Sequence, residues 1–385
     1  MSITEFDDIR PYEDTEIAGV LDELSRDAEF RSVVESVFPG VPFRALLERS
    51  KSCRTILEFQ RLFPYQFLAS LIEKQTTGCD FGAAKLENTG NYTYISNHRD
   101  IVLDSAILSK MLVDSGFGNT VQIAIGDNLL KRDWIRKFVR LNKAFIVRRG
   151  VSGREQLAAS MELGRYIHYA VEQRGESIWI AQRQGRAKDS NDRTQDAMLK
   201  MLAMGGEGSV VERLRSLHIV PVSISYEWDP CDFLKAREFW NRHCDPDYRK
   251  SAEEDVISMQ TGIRGFKGRV HYEATEVLDS WLSELPEGIV RNDMFRIIAD
   301  RIDRQIHSAY RLYPGNYVAY DLLNDTERLA DHYSTAERES FESYIEERVA
   351  MARVGDADTE FLRTALLSMY ANPLINHFAA IGKDF

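Results

Sequence analysis

"YTYISNHRDIVLDSAIL" (residues 92–108) joins a β-branched and aromatic run to an apolar helical run, with Asn97, His98, Arg99 and Asp100 at the junction. The first half, 92–97, reads as a buried strand. The second half, 101–113, has helical periodicity, and Asp100 stands where an N-cap carboxylate would accept hydrogen bonds from free backbone amides. On a wheel of 100° per residue, Asp104 falls in the middle of the face flanked by Ile101, Leu108 and Leu112 on one side and Ile107 and Met111 on the other. A carboxylate buried there needs a partner. His98, at the strand end, is the candidate. A carboxylate on one imidazole nitrogen sets the tautomer and frees the other nitrogen to accept a proton, which is general-base chemistry. The spacing suits equally a His–Asp pair that only caps the junction.

Strands and helices alternate outward from this stretch. "VQIAIG" (121–126), "AFIVRR" (144–149), "SIWIAQ" (177–182), "IVPVSISY" (219–226) and "RVHYEA" (269–274) read as further strands, with helical patterns at 128–140 and 153–173. The expected fold is α/β: a mixed, largely parallel central sheet with flanking helices, its site at the strand ends. Residues 1–90 read as an N-terminal helical region, 91–280 as the α/β core and 281–385 as a C-terminal helical region. The N-terminal layer is punctuated at "FPGVPF" (38–43) and "LFPYQF" (62–67), the C-terminal one at "YPGN" (313–316). Phe59, Phe63, Tyr65, Phe67 and Leu71 are read as core in preference to a membrane-facing surface.

Composition narrows the function classes. With 385 residues, 44% of them hydrophobic and 28% charged, the chain is long enough to bury a large core. No run approaches the roughly 20 apolar residues of a spanning helix, and "MSITEFDDIRPYEDTE" is acidic where a secretory signal would be basic. The expected location is cytoplasmic, with peripheral contact at the inner membrane face open to it. Cys53, Cys79, Cys231 and Cys244 form no Cys-x-x-Cys pair, which argues against a disulfide framework and a zinc site. A net charge of −11 counts against nucleic acid as a partner. Yet Lys131, Arg132, Arg136, Lys137, Arg140, Lys143, Arg148, Arg149 and Arg154 are interrupted by one acid, Asp133, a cationic island suited to phosphate, a lipid headgroup or an acidic carrier.

Anion binders are expected at two strand ends: Arg148 and Arg149 after one strand, Arg183, Gly185, Arg186 and Lys188 after another. "GFGNTV" (116–121) precedes a strand and lacks the third glycine of a dinucleotide fingerprint, so it reads as a turn. The chain has no phosphate-loop lysine motif, no His-Glu-x-x-His and no Gly-x-Ser-x-Gly. The other histidines, His168, His218, His243, His271, His307, His332 and His377, are scattered and read as structural.

Taken in order, "SNHRDIVLD", "AFIVRR", "IWIAQRQGR" and "IVPVSISYE" resemble the four sequence blocks of the glycerol-3-phosphate and 1-acylglycerol-3-phosphate (lysophosphatidate) acyltransferase family, over residues 90 to 275. The resemblance implies transfer of a fatty acyl chain from acyl-CoA or acyl carrier protein to a hydroxyl of a glycerol-phosphate or lysophosphatidate type acceptor. It implies His98 as base, Asp104 as its orienting acid, and Arg148, Arg149, Gln184, Gly185 and Arg186 at the acceptor's phosphate, with no metal or organic cofactor. Its partners are an acyl thioester donor and a phosphate-bearing lipid acceptor; acyl carrier protein and a membrane surface are also open to it. Two departures stand out. Asp104 lies six residues after His98 where the family has five, so the pair requires a rewound helix start, failing which Asp100 is the partner. Gln184 precedes Gly185 where the family has Glu, or in another alignment Arg183 takes that place; either way the acceptor can differ, an amino-acid lyso-lipid included. A phosphate-ester hydrolase using His98 as base, and a catalytically silent lipid- or phosphate-binding protein on the same fold, are the readings from other classes.

Overall fold

The structure is a computed structural model that describes residues 3–38, 40–355 and 357–383, so that Met1, Ser2 and Pro39 of the stretches quoted above lie outside the described residues. Seven strands form one sheet: β1 (Gly78–Gly82), β2 (Thr93–Ser96), β3 (Val121–Gly126), β4 (Ala144–Val147), β5 (Ser177–Ala181), β6 (Ile219–Tyr226) and β7 (Arg269–Ala274). Their order is β1-β7-β6-β2-β5-β3-β4. Only β6 and β7 pair antiparallel; every other pairing is parallel. The sheet is therefore mixed and largely parallel, as the alternation of strands and helices predicts.

Each face of the sheet carries its own core, as burial on both sides demands of a parallel sheet. One face packs Ile95, Phe145, Ile178, Ile180 and Ile219 under helices that supply Ile167, Leu199, Ile302 and Ile306. The other packs Tyr94, Trp179, Val222, Ile224 and Tyr272 under the helix Leu103–Asp114, through Leu103, Ile107, Leu108 and Leu112. Five short helices between Ile17 and Gln75 precede the sheet. Phe59 and Phe63 belong to their core, while Tyr65 and Leu71 are buried against the sheet with Phe67 partly covered beside them, so none of these forms an open membrane-facing surface.

β1 joins the sheet from within the segment read as the N-terminal helical region. Its sequence, GCDFG, has no run of β-branched residues to announce it. Parallel pairing with β7, which lies almost two hundred residues on, makes it a strand. "GFGNTV" is a turn: Gly116 has φ +89° and the Phe117 amide returns to the Leu112 carbonyl, a helix C-cap that only a residue at ease in the left-handed region closes without strain. All four cysteines are free thiols.

Candidate active site

The site is built at the C-terminal end of β2. Asn97 extends the strand pairing with its side chain, Nδ2 donating to the Ile224 carbonyl and Oδ1 accepting from the Ile224 amide, both at 2.8 Å. The chain can then leave the sheet without an orphaned polar group, and His98 stands at the strand's exit. Asp100 accepts from the amides of Val102 and Leu103, each at 2.8 Å. Its carboxylate thus does the work of a cap, but two residues of turn separate it from the helix, which begins at Leu103. That turn takes up the extra residue between His98 and Asp104. The imidazole Nδ1 lies 2.7 Å from Asp104 Oδ2, so Asp104 is the partner and Asp100 serves the backbone.

Asp104 is fully buried and thoroughly bonded. Besides the imidazole, Oδ2 accepts from the amides of Arg99 at 2.6 Å and Asp100 at 3.0 Å, and Oδ1 accepts from the Tyr226 hydroxyl at 3.1 Å. The Tyr272 hydroxyl donates to the Asp104 carbonyl at 3.2 Å. A carboxylate facing Nδ1 holds the proton there and leaves the Nε2 lone pair free. Among the described residues nothing hydrogen-bonds Nε2, and the His98 side chain is 14% exposed, enough to be reached from outside. Trp179 meets the imidazole in a T-shaped contact, 5.4 Å between ring centroids, and Trp179 Nε1 is itself tied to Ser96 Oγ at 3.0 Å.

Charges collect below the pair. Burial, and then the Asp104 charge, raise the Asp100 carboxyl, while its two backbone hydrogen bonds and Arg186 pull it back. Lys267 is fully buried, its ammonium pushed down by burial and partly restored by Asp100, Asp229 and Asp104; its Nζ donates to the Gly265 carbonyl at 2.6 Å. Lys267 went unnoticed in the sequence because a lysine in a Gly-x-Lys-Gly loop reads as surface.

Strand register puts the anion binders at the same sheet edge. Ser96 pairs with Ala181, Ile123 with Trp179 and with Ala144, so the ends of β2, β5, β3 and β4 lie side by side. Arg186, half-buried, has a buried Nη1 without a hydrogen-bond partner and lies close enough to Asp100 and Asp229 to affect both. Gly185 turns the loop with φ +70°, and Gln184 is exposed, its amide held by Gln195 Oε1 at 2.9 Å. Arg149 packs against Gly126, where a Cβ would come within 3.3 Å of its Cγ and Nε; burial lowers its guanidinium, and no ion pair among the described residues compensates. Arg148 turns the other way, 3.4 Å from Glu162 and 3.6 Å from Asp8. The structure therefore gathers His98, Asp104, Gln184, Gly185, Arg186 and Arg149 along one edge and points Arg148 away from it.

Residues 81–225 match the family model described as Acyltransferase. A solved structure, that of the 1-acyl-sn-glycerophosphate (LPA) acyltransferase PlsC from Thermotoga maritima, aligns over 75% of this chain and 94% of that one, at 13% sequence identity and a TM-score of 0.35. No curated protein matches the chain.

The matched segment contains all the candidate site residues, but its loop after β5 is held from outside it. Asn372 Nδ2 donates to the Asp189 carbonyl at 2.7 Å, Arg193 Nη2 to Asn376 Oδ1 at 3.1 Å, and Asp303 Oδ1 accepts from both the amide and the hydroxyl of Thr194 at 2.8 and 2.6 Å. These partners lie on the helices Arg291–Ser308 and Thr359–Ile381. The cationic island is partly neutralised by sequence-distant acids: Arg132 pairs with Glu29, Lys137 with Glu23 at 2.7 Å, and Lys143 with Glu176 at 2.7 Å. Arg140 donates to the carbonyls of Arg10 and Asp7. Lys131, Arg136, Arg140, Arg149 and Arg154 are left without an ion pair among the described residues.

Proposed function

We propose that this chain is an acyltransferase that moves a fatty acyl group from a thioester, acyl-CoA or acyl carrier protein, to a hydroxyl of a glycerol-phosphate or lysophosphatidate type acceptor. The observation that carries the proposal is His98 held at 2.7 Å by the buried Asp104 with Nε2 unpartnered. Nε2 accepts the acceptor's hydroxyl proton as the oxygen attacks the thioester carbonyl. Asp104 stabilises the imidazolium that forms. When the tetrahedral intermediate collapses, the C–S bond breaks and the imidazolium returns its proton to the departing thiolate, leaving an oxygen ester, a free thiol and a neutral histidine.

The acceptor's phosphate is assigned to Arg186 and Arg149. Arg186 keeps a buried Nη1 without a hydrogen-bond partner and Arg149 is desolvated by burial, and neither forms an ion pair among the described residues, so an anion offsets a cost the fold already bears. Arg148, already paired, contributes at most a background charge. The reaction requires no metal and no organic cofactor beyond the thioester co-substrate. Among the described residues no helix is long and apolar enough to cross a membrane, and an amphiphilic product fits peripheral contact with the inner face of a membrane from the cytoplasm. We read residues 91–280 as the catalytic core, joined at the sheet edge by β1, with the helical remainder of 1–90 and with 281–385 as supports.

The test is thiol release from long-chain acyl thioesters, with glycerol 3-phosphate, lysophosphatidate and a lyso amino-acid lipid offered in parallel. Removal of a positioned general base costs about 10²–10⁴ in rate, so His98→Ala, and Asp104→Asn by a comparable factor, should abolish acceptor-dependent release. A folded wild type that releases no thiol with any acceptor would leave a binding protein on the same fold.

A further inference from the structure

Arg99 follows the proposed base directly and is held from three sides. Its amide donates to Asp104 Oδ2 at 2.6 Å, and its carbonyl accepts from Lys235 Nζ at 3.4 Å. Its guanidinium, only 6% exposed, sits 2.8 Å from Asp192 Oδ2, on a carboxylate that is itself 1% exposed. Tyr310 completes the contact: its hydroxyl donates to Asp192 Oδ2 at 3.0 Å, and its ring lies under the guanidinium, 5.7 Å from centroid to Cζ. His307 Nε2 donates to the Asp192 carbonyl at 2.9 Å. Asp192 lies six residues beyond Arg186 in the loop that the C-terminal helices grip. One buried ion pair thus joins the strand end that carries His98 to the loop that carries Arg186.

Stability does not account for this pair. Taking two charges out of water costs as much as their attraction returns, and apolar side chains of similar volume often serve as well or better. What an ion pair adds is a single allowed register between the two segments it joins. Catalysis needs such a register, because a misplacement of about 1 Å between base and acceptor can cost on the order of 10²-fold in rate.

We propose that Arg99, Asp192 and Tyr310 form a positioning clamp that sets the imidazole of His98 in register with the anion-holding loop of Arg186. None of the three is placed at the reacting atoms; they act through His98, Asp104 and Arg186. The kinetic consequence rests on the acyl-transfer function proposed above, whereas the coupling of the clamp to the His98–Asp104 hydrogen bond does not.

The decisive variant replaces the clamp as a unit, Arg99→Met with Asp192→Leu and Tyr310→Phe, which leaves none of the three polar partners buried alone. Its melting temperature and near-ultraviolet circular dichroism report the fold. The proton NMR resonance of His98 Nδ1–H, identified by its loss in His98→Gln, reports the hydrogen bond to Asp104. In a folded triple variant this resonance should shift or be lost to exchange, and kcat for thiol release should fall at least about ten-fold with the thioester KM unchanged. An unmoved resonance together with unchanged kcat overturns the clamp. If the triple variant does not fold, Tyr310→Phe alone carries the test: it must move the same resonance, and no shift overturns the proposal. A resonance that responds in a protein whose wild type releases no thiol upholds the clamp and refutes the acyl-transfer reading, so the two fail separately.

Discussion

Arg148 and Arg149 are adjacent in the chain yet face different surroundings. Successive residues of an extended segment point to opposite sides, and here one side offers Glu162 and Asp8 while the other offers the backbone of Gly126. The ion pairs of Arg148 are exposed and long, of the kind worth about 0–1 kcal/mol. Arg149 has given up solvent with only the charge of Asp127 nearby and no ion pair among the described residues. Arg149→Gln should therefore raise KM for a phosphate-bearing acceptor by an order of magnitude or so, while Arg148→Gln leaves it within about two-fold. Steady-state kinetics at saturating thioester measures both, and equal effects would contradict the assignment of the phosphate to Arg149.

At the scale of elements, the entry into the helix Leu103–Asp114 depends on a helix from far along the chain. Gly262, in Ala252–Arg264, lies so close to Asp100 that a Cβ would come within 1.9 Å of Oδ2. The carboxylate that caps the turn after His98 is thus roofed by bare backbone. Gly262→Ala must displace Asp100 or the helix, a cost of about 1–3 kcal/mol for overpacking, visible as a lower midpoint in urea. An unchanged midpoint would mean that the two segments separate freely. Six strands and the His98–Asp104 pair were legible in the sequence, because hydrophobic period and capping chemistry are properties of chain neighbours. The start of the helix at Leu103 was less so, since it depends on how Asp100 divides its bonds between amides. β1 was not legible, because its only strand signal is a partner almost two hundred residues away.

For the whole molecule, the buried polar groups between the loop after β5 and the C-terminal helices predict a pH signature. Burial first, then Arg193, Arg99 and His377, lowers His307 to about 4 from its ordinary 6.5. Between those values the unfolded chain binds a proton that the folded one refuses, so this residue's contribution to stability is lost as pH falls from 6.5 toward 4. Asp303 has the opposite sign. Burial raises it to about 6, against the bonds from Thr194, so the folded chain keeps a proton that the unfolded one releases, and stability falls as pH rises from 3.8 toward 6. The two slopes overlap and offset each other in the wild type. His307→Gln should uncover the second: relative to that variant, the wild type should lose roughly 2–4 kcal/mol of unfolding free energy between pH 6.5 and 4. Denaturant titrations across that range check it, and a constant difference would refute the burial argument.

The amino-acid sequence by itself determined the α/β class, the strand-end location of the candidate site and the need of a buried Asp104 for a partner, with His98 the candidate. Each follows from local periodicity or from the cost of leaving a carboxylate unpaired in an apolar face. Only the tertiary structure decided how Arg148 and Arg149 part, that Glu23, Glu29 and Glu176 pair with three of the island's nine cations, and that Asp192 and Tyr310 reach Arg99 from the loop after β5 and from just beyond the helix Arg291–Ser308. These are contacts between segments far apart in the chain. A charged side chain carries no mark of its partner in its own neighbourhood, and the partner is chosen by how the sheet and its helices pack.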